Sequence, residues 1–142
     1  MNYFAHRYLI RECSSTGPLR EPAQIAIEVG VPQPPNYKKP SVSRDLVIWQ
    51  ASGDTAWKGS RIDEPWIPAH HPLAILDWKV HRLKHPNRKV VHERDWLQAY
   101  CRNNEFVLAY AIEIDGRCSP RTLVCTRFLG RTEPTCWLEL TF

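Results

Sequence analysis

Asp77-Trp78-Lys79 is an acid-x-lysine triplet at the end of an apolar run, with Asp63 and Glu64 fourteen and thirteen residues before the aspartate. Hard divalent cations such as Mg²⁺ take carboxylate oxygens, and a metal-bound water beside a lysine is easier to deprotonate, so this combination can activate water. Fifteen acids and six lysines in 142 residues produce about 0.6 such triplets by chance, so the triplet counts only together with its surroundings. His81, His85 and His92 lie among arginines and lysines, where one imidazole could act as base, another as acid, and a cation could hold a phosphate. His81 and His85 also have a spacing that occurs in zinc sites, but no cysteine pair lies at a matching distance and Pro86 interrupts a helix there. His70 and His71 point in opposite directions on an extended chain, so they do not form a joint ligand. There is no nucleophile elbow, no phosphate loop and no dinucleotide fingerprint, and six scattered glycines cannot build a phosphate cradle.

With Gln98 and Tyr100 on a helix that follows it, this layout resembles the PD-(D/E)xK nucleases over roughly residues 60–112. In that family, acidic side chains from neighbouring strands hold Mg²⁺ and the lysine positions or activates water. The resemblance implies Asp63 and Asp77 as metal ligands and Lys79 as the catalytic cation. The chain departs from the family pattern in three ways. No Pro-Asp pair precedes the triplet, its acid is Asp where Glu is commoner, and an N-terminal helix is not evident.

Charge points to a different use of the same region. The net charge of +4 resides between Lys79 and Arg94, where Lys79, Arg82, Lys84, Arg88, Lys89 and Arg94 face Glu93 alone, while the other 126 residues sum to −1. A patch of this kind attracts polyanions, nucleic acid foremost. Trp57, Trp66, Trp78 and Trp96 bracket it, and Tyr37 stands beside Lys38 and Lys39. Aromatic faces next to cations stack on unpaired bases, and the same residue types dominate protein contacts. The expected function is therefore non-enzymatic. Residues 79–94 with Trp78, Tyr37, Lys38 and Lys39 would bind nucleic acid or a complex that processes it, as small inhibitors from phages and mobile elements do. The alternatives are the Mg²⁺-dependent nuclease and an assembly protein using its Trp-rich loop. The first reading needs no cofactor.

The N-terminal residues lack the long apolar core of a signal peptide, and no run approaches the roughly 18 apolar residues of a membrane span. The sequence thus predicts a cytoplasmic chain without a membrane partner. Its five cysteines would be reduced, at least four of them packing as small apolar residues.

The elements that would position these residues form a single α+β domain of about six to seven mainly antiparallel strands. One main helix near 93–103 packs on them. Tyr3–Ile10, with aromatics on both alternating faces, reads as a strand buried on both sides, with a helix as the alternative. Ile25, Ile27, Val29 and Val31 alternate as a half-buried strand, and the prolines of 32–40 then impose an extended arm. Leu46-Val47-Ile48-Trp49 reads as an interior strand, 54–72 as a long irregular Trp/Pro/His loop, and Leu73–Val80 as a strand running into the basic segment. In the helix, Trp96 precedes Tyr100 and Leu97 precedes Cys101 by four residues, and Asn103-Asn104 supplies a stop. Phe106 to Ile114 alternates to an Asp115-Gly116 turn, and Leu123–Phe128 and Cys136–Phe142 complete a meander.

Overall fold

A computed structural model describes residues 2–39, 41–51, 54, 57–58, 67–68, 70–81, 88–117 and 119–142, with only the backbone described at 57, 58, 67, 68 and 88–91. The chain is α+β. Among the described residues, six of eight strands share one mainly antiparallel sheet, as the sequence predicts. It divides into two compact units, Met1–Ile75 and Leu76–Phe142.

In the first unit, helix α1 (Asn2–Arg11) precedes strands β1 (Ile25–Pro32) and β2 (Ser41–Ile48), which pair antiparallel from Ile25↔Ile48 to Pro32↔Ser41. α1 corrects the preferred reading of a doubly buried strand in favour of its helical alternative. Ala5, Leu9, His6 and Ile10 lie four residues apart, so the half-buried positions form one helical face, and Tyr3, Phe4 and Tyr8 are exposed. His6 Nε2 lies 3.2 Å from the Ile25 carbonyl oxygen and ties the helix to β1. Leu46, Val47, Ile48 and Trp49 are all buried, as a continuous apolar run requires. Burying each such large side chain contributes roughly 1.5–3 kcal/mol.

The expected alternation in β1 does not persist. Glu28 has φ 51°, and Ile27 is exposed while Val31 is fully buried. The proline arm is a hairpin connection, because the strands on both sides of it are paired, and its Tyr37, Lys38 and Lys39 are exposed. Within the loop expected at 54–72, β3 (Trp57–Lys58) and β4 (Ile67–Pro68) form a two-residue antiparallel ribbon. Asp63, Glu64, Pro65 and Trp66 lie outside the described residues.

Strand β5 (Ala74–His81) begins in the first unit and continues into the second. There it is followed by helix α2 (Arg88–Asn103) and by β6 (Leu108–Asp115), β7 (Thr122–Leu129) and β8 (Thr135–Thr141), with β5, β6, β7 and β8 side by side in that order. The ends of β5 and β6 meet, Gly116 N–H donating to His81 C=O at 3.2 Å. The two strands are therefore parallel and α2 is the crossover of a β-α-β unit, the parallel exception in a mainly antiparallel sheet. β6–β7 and β7–β8 are antiparallel.

α2 buries Trp96, Leu97, Tyr100 and Cys101. Beneath it lie Ala109 and Ala111 of β6, whose small side chains let the helix approach the sheet closely. The helix starts at Arg88, five residues ahead of the expected 93, and ends where expected. Asn103 and Asn104 side-chain amides donate to the carbonyls of Ala99 and Tyr100 at 2.8 and 2.9 Å, satisfying groups that the last turn leaves open. The Asp115 turn is closed by Arg117, whose backbone and guanidinium both donate to the Asp115 carboxylate and hold its pKa well below the usual range. Of the cysteines, Cys101 and Cys125 are buried, Cys13 is half-buried and Cys136 is exposed on β8. Cys118 lies outside the described residues. Among the described residues no helix is long and apolar enough to cross a membrane.

Candidate functional site

Alternation along β5 places Asp77, Lys79 and His81 on one face and turns Trp78 to the other. α2 covers that face. The cleft beneath it is lined by Asp77, Trp78, Lys79, Glu93, Arg94, Leu97, Ala111, Ile112 and Glu113. Asp77 is buried.

Two clusters of charge close the cleft. Lys79 Nζ donates to Glu93 Oε1 at 2.7 Å, with about a third of each side chain still exposed. An ion pair so open to water contributes up to about 1 kcal/mol. Glu113 is shared: Oε1 lies 2.6 Å from Arg94 Nε and Oε2 lies 3.3 Å from His81 Nε2. The Arg94–Glu113 contact is an ion pair by distance without hydrogen-bond alignment at those two atoms. Arg94 also donates through Nη2 to Thr126 Oγ1 of β7 at 2.9 Å. Arg94 thereby joins α2, β6 and β7, and Glu113 joins β5 to α2 and β6.

These contacts redistribute the basic segment. Lys79 and Arg94, two of the six cations expected to face a polyanion, lie against Glu93 and Glu113. Arg82 and Lys84 lie outside the described residues, and Arg88 and Lys89 form the start of α2, so the segment is helical at its far end. Trp78 is half-buried on the face opposite Lys79, and Trp49 and Trp96 are core residues. Tyr37, Lys38 and Lys39 are exposed in the first unit.

Of the histidines, His81 is buried against Glu113, His92 is exposed on α2, and His85 lies outside the described residues. His70 is exposed and 3.5 Å from Asp54.

Of the residues implied for metal binding, Asp63 is outside the described residues and Asp77 is in the cleft. Among the described residues no group of three or more His, Cys, Asp or Glu side chains is placed to hold a metal ion. The described residues therefore do not by themselves fit a Mg²⁺ site.

Glu113 is the site residue that sequence reasoning missed. The alternation of Tyr110, Ile112 and Ile114 directs attention to the wrong face. Those residues are half-buried, whereas Ala109 and Ala111, of Glu113's parity, are buried under α2. Two alanines in alternation beside a predicted helix are the signal that locates it.

Compared with known protein families, curated proteins and solved structures, the chain finds no match, and its function rests on this geometry and on its chemistry.

Proposed function

We propose that the protein is a non-enzymatic binder of nucleic acid, or of a complex that handles it, acting in the cytoplasm. Contact would run through the phosphates along the connection from β5 into α2. The observation that carries this reading is the concentration of the whole basic excess in residues 79–94. The helix adds to it. The first turn of α2 contains Arg88 and Lys89 and no acidic residue, whereas the positive end of a helix dipole is ordinarily stabilised by Asp or Glu. Cations at that end repel it, and a phosphate chain relieves the repulsion. Because Lys79 and Arg94 are engaged by carboxylates, the phosphate contacts fall to Arg82, Lys84, Arg88 and Lys89.

Fluorescence anisotropy with labelled single-stranded and duplex DNA and RNA, over a salt series, tests this. Lys84→Glu, Arg88→Glu and Lys89→Glu together are expected to weaken binding by at least about tenfold. They should also lower the slope of log affinity against log salt by roughly 2–3, since each phosphate contact contributes about 0.7–0.9. An unchanged slope would sink the reading.

A second reading, the Mg²⁺-dependent nuclease, is favoured by two observations. Asp77 and Lys79 share the face of β5 that α2 covers, and α1 supplies an N-terminal helix that the sequence did not make evident. Incubating end-labelled DNA and RNA with Mg²⁺ decides between the two. Cleavage that Asp77→Ala and Lys79→Ala each abolish would replace the binding-only reading, and cleavage surviving both would remove these residues from any mechanism.

A further inference from the structure

We propose that β8 is a self-pairing edge, and that two copies of the chain associate by antiparallel β8–β8 pairing about a two-fold axis at Leu140. Among the described residues β8 pairs only with β7, and every one of its side chains is exposed. Natural edge strands are usually guarded by lysine, proline, a bulge or shortness. Thr135–Thr141 contains no lysine, arginine or proline, and its one charge is Glu139. The bulge lies at its beginning, opposite Cys125/Thr126, which leaves 138–142 regular.

The backbone pattern selects which atoms are offered. Phe142 exchanges both hydrogen bonds with Arg121, at 2.9 Å each. By alternation Leu140 and Leu138 also turn their N–H and C=O toward β7, and Glu139 and Thr141 turn theirs outward.

Charge and shape then select the register. A two-fold at Glu139 would set it directly against its own copy, a like-charge pair, and a two-fold at Leu138 would run into the bulge. A two-fold at Leu140 sets Glu139 opposite Thr141 of the second copy, so the outward groups of both residues exchange hydrogen bonds. Leu140 then meets Leu140, and Leu138 meets Phe142.

All of these apolar residues lie on the sheet face away from α2. Leu140 and Phe142 are 47% and 63% exposed there. Beside them Trp137, the extra residue of the bulge and 58% exposed, packs edge-on against Tyr110 with ring centroids 5.4 Å apart. Pairing makes one continuous apolar face from two half-covered ones.

The test is sedimentation of the full chain from about 1 to about 300 µM, expected to show a monomer–dimer equilibrium. Thr141→Pro removes an outward N–H that β7 does not use, so it should abolish the dimer while leaving the far-ultraviolet dichroism of the monomer unchanged. Register is read by oxidation in a Cys136→Ser background. Leu140→Cys sets two thiols across a close pair of about 4.5 Å between Cα atoms, within disulfide range, and should be captured as a covalent dimer. Phe142→Cys, more exposed but facing Leu138, should be captured several-fold less. A monomer at every concentration, a dimer indifferent to Thr141→Pro, or equal capture at 140 and 142 would each overturn the proposal.

Discussion

Replacing Gln24 with alanine is expected to remove about 3–5 kcal/mol of stability, seen in urea unfolding as a lower midpoint at unchanged slope. Gln24 is buried at the foot of β1, in a 3-10 turn at Pro22–Gln24, and its amide is the hub of the first unit's chain crossings. Nε2 donates to the carbonyls of Pro18, Trp49 and Gln50 at 3.2, 3.0 and 2.7 Å, two hydrogens shared among three acceptors. Oε1 accepts from the backbone N–H groups of Arg20 and Glu21 at 2.7 and 2.9 Å. Its own backbone C=O accepts from Trp49 N–H at 2.8 Å, so both layers of contact fasten the turn to the end of β2. Alanine deletes five contacts and leaves backbone groups beside buried Trp49 without partners. A net hydrogen bond is worth about 1 kcal/mol, and a stranded buried group costs a further 1–3. Gln24→Glu separates the accepting role of the side chain from its donating role. It keeps the acceptor but aims a carboxylate at three carbonyl oxygens, so at neutral pH it should be at least as destabilising as alanine and should recover partly on acidification. A loss below about 1 kcal/mol for alanine would mean that water takes over the amide's role.

Nothing in the sequence around Gln24 announces this role, because a glutamine between a turn and a strand has no periodicity to read. The interior strand at 46–49 and the core face of α2 were legible, since a continuous apolar run and pairs four residues apart each have one economical burial. The start of α2 was not. Arg88 and Lys89 offer no apolar stripe, and the helix there is continued from the packed turns that follow rather than nucleated by its own residues. At 3–10 strand and helix stayed open, because the aromatics fit a strand with two buried faces as well as a helix; the half-buried face is in fact made by Ala5, His6, Leu9 and Ile10.

At the candidate site, the common face of Asp77 and Lys79 followed from the two-residue period of a strand. Their partners did not. Glu93 is fourteen residues from Lys79 and Glu113 thirty-two from His81, and only the crossover of α2 brings them together. The basic segment is for this reason partly a structural device, its Lys79 and Arg94 holding β5, α2 and β6 together through Glu93 and Glu113.

The core of that crossover makes the chain sensitive to alkali. Tyr100 stacks on Trp96, ring centroids 4.9 Å apart and planes 20° from parallel, and its hydroxyl has no hydrogen-bond partner among the described residues. Burial, and then the neighbouring Cys101, push the phenol well above its ordinary range, and burial pushes the Cys101 thiol up to about 12. Both groups are neutral when protonated. The folded chain therefore keeps two protons that the unfolded chain releases near its ordinary values of about 8.5 and about 10. Above those values the unfolded state binds fewer protons, so stability is complete below about pH 8 and falls as pH rises. The fall approaches roughly 1.4 kcal/mol per pH unit for each group, hence about 2.7 kcal/mol per pH unit for both near about pH 11, and it slackens toward about pH 12 as the folded Cys101 thiol itself ionises. Tyr100→Phe keeps the stacked ring and removes a buried hydroxyl. It should be neutral or stabilising by about 1 kcal/mol at pH 7, and at pH 11 should gain about 1.4 kcal/mol more over the parent. Urea unfolding at both pH values reads the difference. Parent and variant curves that stay parallel would show the phenol ionising as freely in the folded chain as in the unfolded one, so that Tyr100 is open to water and the packing of α2 on β6 is looser than its buried residues imply.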